Sequence, residues 1–122
     1  MSQYVAFLEE VFEQFGPIHP RRMFGGYGLF HKGLMFGLVA DEVLYLKADE
    51  TLAPVFEERE LDQFQYEKLG KTFKMSYFMA PEEIFEDPAE AKAWALRSYE
   101  AALRAKKPVK KVTKKKRSRS NP

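Results

Sequence analysis

The sequence contains no cysteine. That removes disulfides, thiolate zinc sites, iron–sulfur clusters and cysteine nucleophiles together, and it fits a reducing compartment. Histidine is nearly absent as well, with two residues, His19 and His31. A zinc or iron site would need both, plus a carboxylate, and no H-E-x-x-H spacing occurs. The expectation is therefore no metal and no cofactor, with both histidines as surface residues. Long apolar runs are also lacking. The longest, Leu34 to Ala40, falls far short of the roughly 20 residues of a membrane-spanning helix. The N-terminus has neither the charged start nor the apolar stretch of a signal peptide, so a soluble cytoplasmic protein without membrane contact is expected.

No Ser stands in a G-x-S-x-G setting, and no Ser, His and Asp share a recognisable spacing. The carboxylate groups Glu9/Glu10/Glu13 and Glu57/Glu58/Glu60 read as solvated helix faces, whereas acid–base work needs a desolvated carboxylate. Gly25-Gly26-Tyr27-Gly28 lacks the helix that a dinucleotide-binding loop must open, and position 31 is His where that fingerprint needs Gly. The glycines are read as a bulge, a sharp bend or a close backbone approach. Enzymatic activity is not expected.

What is present is a core-forming set of residues and a lopsided charge distribution. The 122 residues suffice for one domain, and eleven Phe, six Tyr and one Trp can fill its interior. The formal charge of +2 conceals two opposed segments. Met1 to Leu103 carries 10 Lys/Arg against 18 Asp/Glu, a balance of −8, whereas Arg104 to Pro122 has ten cations and no acid. The predicted division is a domain over 1–105 and a disordered Lys/Arg-rich tail over 106–122. The tail has two valines and no larger apolar residue to offset its ordering entropy.

Lys106, Lys107, Lys110, Lys111, Lys114, Lys115, Lys116, Arg117 and Arg119 are its candidate contacts to DNA or RNA through phosphates. The opposing reading is a solubilising end, or a strap folded onto the acidic body. Arg21-Arg22, entering an apolar strand, reads as the solvated end of that strand. Base stacking on the abundant aromatics is disfavoured because the domain's net acidity opposes a phosphate backbone.

Apolar residues at Tyr4, Val5, Phe7, Leu8, Val11, Phe12 and Phe15 predict a surface helix over 2–15. An antiparallel meander is predicted from Arg21 to Lys47, with 23–30 as one glycine-rich strand. A short helix capped by Asp49 or Thr51 reaches about Arg59. Strands follow at 64–66 and 72–79, and a one-turn element at 81–85. Asp87 then caps a helix opened by Pro88, which fades near Lys106-Lys107-Pro108. The fold class is α+β, an antiparallel sheet flanked by N- and C-terminal helices in two layers.

Arg22-Met23-Phe24-Gly25-Gly26-Tyr27-Gly28-Leu29-Phe30, then Gly33-Leu34-Met35-Phe36 and Leu44-Tyr45-Leu46-Lys47, resemble the N-terminal domain of the TfoX/Sxy competence-regulator family. The likeness continues through Phe64-Gln65-Tyr66, Met75-Ser76-Tyr77, Pro81-Glu82-Glu83 and the helix holding Trp94, covering roughly residues 3–103. It implies an antiparallel sheet flanked by helices, similar to secretion-chaperone folds. It also implies a bacterial, non-enzymatic role: family regulators promote DNA-uptake competence by assisting transcription, alongside the cyclic-AMP receptor protein. Full-length regulators carry a second domain where this chain has its lysine-rich tail. Arg22, Met23, Phe24, Gly25, Gly26 and Gly28 form the block on which the resemblance rests, with a structural or partner-binding role. A transcription regulator, another protein or a second copy of the chain are the implied partners.

Overall fold

The structure is a computed structural model that describes residues 2–23 and 25–111, the last five of these by their backbone alone. Helix α1 (Gln3–Val11) opens with Ser2, whose hydroxyl accepts the Val5 N–H at 3.0 Å. It is shorter than its apolar periodicity predicts. Phe12 caps it, and the Phe12 carbonyl accepts from the N–H groups of Phe15 and Gly16. These turns reverse the chain while keeping Phe12 and Phe15 in the core region.

Six strands follow: β1 (His19–Met23), β2 (Gly26–His31), β3 (Leu34–Ala40), β4 (Val43–Lys47), β5 (Gln63–Lys68) and β6 (Lys71–Met79). All pairings are antiparallel, in the order β1-β2-β3-β4-β6-β5. The single glycine-rich strand expected at 23–30 is two strands. Met23 pairs with Gly26, and Gly25 just before it has φ 74°. Three further hairpins turn through Lys32-Gly33, Asp41-Glu42 and Leu69-Gly70, each with both central residues at positive φ. That geometry matches the right-handed twist of the flanking strands.

Helix α2 (Ala53–Glu58) follows β4, with Pro54 in its first turn. Leu52 is its cap, and the Asp49 carboxylate accepts the Leu52 N–H at 3.0 Å. A 3₁₀ turn covers Glu82–Phe85, and α3 runs Pro88–Lys111. Asp87 caps α3 as expected, accepting from Ala89 N–H at 3.0 Å. Pro108 does not end this helix; an interior proline removes one backbone bond and need not terminate the segment. The predicted division at 105/106 thus falls inside α3, and 112–122 lie outside the described residues.

One apolar cluster joins α1, α2 and α3 to alternate strand residues, including Leu29, Phe36, Val39, Leu44, Leu46 and Phe78. A second holds strand residues only, centred on Leu38, Phe64 and Tyr77. The sheet therefore has a helix-packed face and an opposite face of different character. The fold class is α+β, as the pattern of periods predicts.

Candidate functional site

The helix-packed face holds the one buried histidine. His31 is 8% exposed, which corrects the expectation that both histidines are surface residues. Its Nδ1 donates to the Pro17 carbonyl at 2.7 Å, and its ring packs 4.3 Å from Phe15 and 5.2 Å from Tyr99. Sequence alone could not assign it there, because its neighbours come from the turn after α1 and from α3. His19 is exposed on β1 and pairs with Phe30, whose side chain belongs to the opposite face. The two histidines are not brought together. Among the described residues no three metal-ligating side chains cluster.

The opposite face follows from register. It carries His19, Arg21 and Met23 on β1, Gly28 and Phe30 on β2, and Met35, Leu38 and Ala40 on β3. Tyr45 and Lys47 come from β4, Phe64 and Tyr66 from β5, and Phe73, Met75, Tyr77 and Met79 from β6. Among the described residues of the six strands, Glu67 is the one carboxylate, and it alternates away from this face. The domain's acids sit instead on helices and turns, with Asp41 and Asp62 raising the Tyr45 phenol pKa from one end, second to its burial. Net acidity of the domain thus does not describe this surface. Arg21 lies 5.2 Å over the Phe30 ring, and Lys47 5.2 Å over Tyr77.

The rings of this face cover one another. Tyr45 meets Phe64 edge-on at 5.0 Å, Phe64 stacks on Tyr66 at 6.3 Å, and Tyr66 on Phe73 at 5.4 Å. A base-stacking surface needs ring faces turned outward; here they are spent on neighbours. Phe73 remains 41% exposed at the margin. Tyr77, by contrast, is 6% exposed, and burial pushes its phenol up to about 12.

A pH consequence follows for Tyr77. Between pH 10 and 12 the folded protein keeps a proton on this phenol that the unfolded chain has released. Folding stability therefore declines with rising pH across that window. The contribution is complete below pH 10 and amounts to about 2 to 3 kcal/mol once lost. The expected result is a denaturant midpoint that falls more steeply from pH 10 to 12 in the wild type than in Tyr77→Phe. Parallel curves would show that Tyr77 titrates like an exposed tyrosine.

Of the residue block singled out by sequence, Met23 and Gly28 lie together on the face just described. A Cβ on Gly28 would meet the sulfurs of Met23 and Met35. Arg22 is exposed and alternates to the other side, Gly25 occupies the hairpin turn, and Gly26 abuts the Val39 carbonyl. Phe24 lies outside the described residues.

Of the tail candidates, Lys106 is exposed on α3, and Lys107, Lys110 and Lys111 continue its backbone. Lys114, Lys115, Lys116, Arg117 and Arg119 lie outside the described residues. The exit of α3 is fixed by an ion pair, Arg104 Nε to Asp49 Oδ2 at 2.6 Å with Nη2 to Oδ1 at 3.0 Å. The Arg104 hydrogen bonds hold the Asp49 carboxyl below its usual range, assisted by the Leu52 N–H. A groove of about 480 Å³ lies beside the pair, lined by Lys47, Glu50, Ser76 and Ala105 among others. No helix among the described residues is long and apolar enough to cross a membrane.

Comparison with known proteins supplies the rest. The chain is 36% identical over 86 residues to DNA transformation protein TfoX1 of Aliivibrio fischeri, covering 67% of this chain and 41% of that protein. It is 28% identical over 98 residues to Protein Sxy of Escherichia coli, covering 80% of this chain and 47% of the relative. The matched segments span less than half the length of either relative. The family description "TfoX N-terminal domain" matches residues 10–102, which takes in every strand and most of α3. By that match, the chain belongs to the TfoX N-terminal domain family.

Proposed function

We propose that this protein is a non-catalytic regulatory or accessory factor of the cytoplasm, acting in DNA-uptake competence or a related DNA process. In this reading the folded domain docks on a protein, such as a transcription regulator, while the tail supplies sequence-independent nucleic-acid affinity. The observation that carries it is the charge segregation. All 18 acids precede Arg104, and ten cations without one acid follow from there. The first of them, Arg104, is paired with Asp49, and α3 continues from it through Lys106 to Lys111. The name of the Aliivibrio relative, a DNA transformation protein, supports the setting.

The test compares full-length protein with a full-length variant in which the nine tail Lys and Arg residues from Lys106 onward are Gln. Binding to a fluorescent DNA duplex is titrated at several salt concentrations. Affinity of the wild type should fall steeply with salt. The variant's slope should flatten by about 0.9 for each phosphate it no longer neutralises. Absence of wild-type affinity at low salt would sink the nucleic-acid reading.

The sheet face on which no helix packs among the described residues favours a second reading, a protein-interaction module or homodimer without nucleic acid. Four methionines and a row of rings in one surface suit an adaptable protein contact. Light scattering that shows a salt-insensitive dimer, with no DNA affinity, would decide for it.

A further inference from the structure

The β5–β6 hairpin outruns the rest of the sheet. Strand β4 pairs with β6 from Met79 to Tyr77, flanked by bonds from Ala80 N–H to the Leu44 carbonyl and from Ala48 N–H to the Ser76 carbonyl. Beyond Ser76, β5 alone among the described strands partners β6, through Gln65↔Lys74, Tyr66↔Phe73, Glu67↔Thr72 and Lys68↔Lys71. Five residues from Met75 to Lys71 at about 3.3 Å each give a two-stranded ribbon reaching roughly 17 Å past the sheet. Gln65, Glu67, Lys68 and Lys71 to Lys74 are all exposed.

Its chemistry is not that of a neutral hairpin. Lys68, Lys71 and Lys74 face one carboxylate, Glu67, so the ribbon carries a net charge of +2. Pairing places Lys68 and Lys71 on the side of Tyr66 and Phe73, and Lys74 on the other. Cations thus flank the ribbon on both faces. At the tip Leu69 is 92% exposed with φ 54°, followed by Gly70 at φ 77°. A leucine in the left-handed region has no local benefit: Asn, Asp or Gly suits this turn position better. A leucine kept there against that preference, and left exposed, makes the tip a candidate for contact outside the chain.

The ribbon also projects from the pole at which α3 leaves. The groove that holds Ser76, at the ribbon's base, is lined by Lys47, Arg104 and Ala105, with Asp49 engaged by Arg104 and Glu50 as a further acid. Lys106 follows Ala105 directly. One end of the molecule therefore presents the ribbon and the start of the basic segment side by side.

We propose that the β5–β6 ribbon is a DNA-contacting arm that enters the major groove of a duplex. That groove is about 12 Å wide and 8.5 Å deep and admits a two-stranded β-ribbon, which the arm's reach exceeds. Lys68 and Lys71 contact phosphates on one wall and Lys74 on the other. Leu69 rests on the groove floor, where thymine methyls offer apolar contact. A lipid surface fits less well, because one leucine supplies only about 2 kcal/mol of apolar burial, too little for anchoring. The inference deepens the nucleic-acid reading of the tail, and its test keeps the two apart.

The experiment uses full-length protein and a fluorescent duplex. Four variants are compared: K68Q/K71Q/K74Q, its Arg counterpart, L69N, and the tail-neutralised protein. The Gln triple should bind at least tenfold more weakly, with a salt slope flattened by about 2 to 3 units, while the Arg triple retains binding. L69N, whose Asn accepts the turn geometry, should lose several-fold affinity with an unchanged slope. Lys68, Leu69, Lys71 and Lys74 are exposed, so melting midpoints of the arm variants should not fall below the wild type.

If the Gln triple binds as wild type while the tail variant does not, the arm is wrong and the tail stands. If the tail variant binds normally and the triple fails, the arm stands without the tail. Wild-type affinity in L69N removes the groove insertion. Capture by anionic phospholipid vesicles with no affinity for the duplex would overturn the assignment in favour of a membrane surface.

Discussion

Gly26→Ala should unfold or severely destabilise the domain, at a cost of about 3 kcal/mol or more. An alanine Cβ at this position would lie 1.9 Å from the Val39 carbonyl oxygen and 3.0 Å from its carbon. Both are backbone atoms of β3, a strand held on either side by β2 and β4, so neither can yield alone. Relief requires β2 to move away from β3 by more than an ångström. That would break the Tyr27↔Val39 and Gly28↔Leu38 pairings and shift Leu29 within the core.

Neighbouring glycines supply the controls. At Gly28 the same atom meets the Met23 and Met35 sulfurs at 2.9 and 3.0 Å and Phe30 Cε1 at 3.1 Å. Those side-chain ends can rotate aside. At Gly25 nothing lies within 4 Å, and only the positive φ is costly, at about 1 kcal/mol. Thermal melts should therefore rank Gly26→Ala far below Gly25→Ala and Gly28→Ala. A Gly26→Ala midpoint equal to that of Gly28→Ala would disprove the close approach.

The glycine cluster shows where sequence reasoning works and where it stops. Three glycines in four residues signal a bend or close approach without revealing which residue does which. Only the pairing of His19–Met23 with Gly26–His31 distinguishes Gly25 as turn from Gly26 as contact. The alternation at Thr72 to Met79 was legible for the same reason that the Asp87 cap was: both are local. That β4 stops opposite Tyr77, leaving the distal hairpin without a neighbour among the described strands, is a property of the non-sequential order β4-β6-β5. No window of the sequence contains it.

Charge is legible at two scales, with different success. The change at Arg104 is visible in composition alone. The net −8 of Met1 to Leu103, however, suggests a uniformly acidic body, whereas Glu67 is the single acid among the described strand residues. Strand propensity disfavours Asp and Glu, so acids accumulate on helices and turns. The opposed sheet face and the β5–β6 ribbon are then cationic by exclusion. A sum over the chain hides that partition.

Phe56→Ala should be the most damaging change outside the sheet, lowering stability by about 3 to 5 kcal/mol. Its ring is fully buried, stacked on Phe78 at 5.3 Å and tilted against Trp94 at 5.3 Å. Helix α2 has six residues and no side-chain cap, so it holds its place through packing, with Phe56 as its one buried residue. The loss is a large share of the roughly 5 to 15 kcal/mol that stabilises a typical domain. The melting midpoint should drop by about 10 °C or more, while Phe56→Leu should lose far less.

Damage should spread along a defined route. Loosening α2 releases the turn in which Asp49 accepts the Leu52 N–H and engages Arg104, and with it the anchor at the exit of α3. Hydrogen exchange in Phe56→Ala should accelerate at Leu52 to Arg59 and near Arg104, but not in the β2–β3 ladder. A midpoint within about 2 °C of wild type, or uniform acceleration across the sheet, would contradict this account of how the domain fixes its basic end.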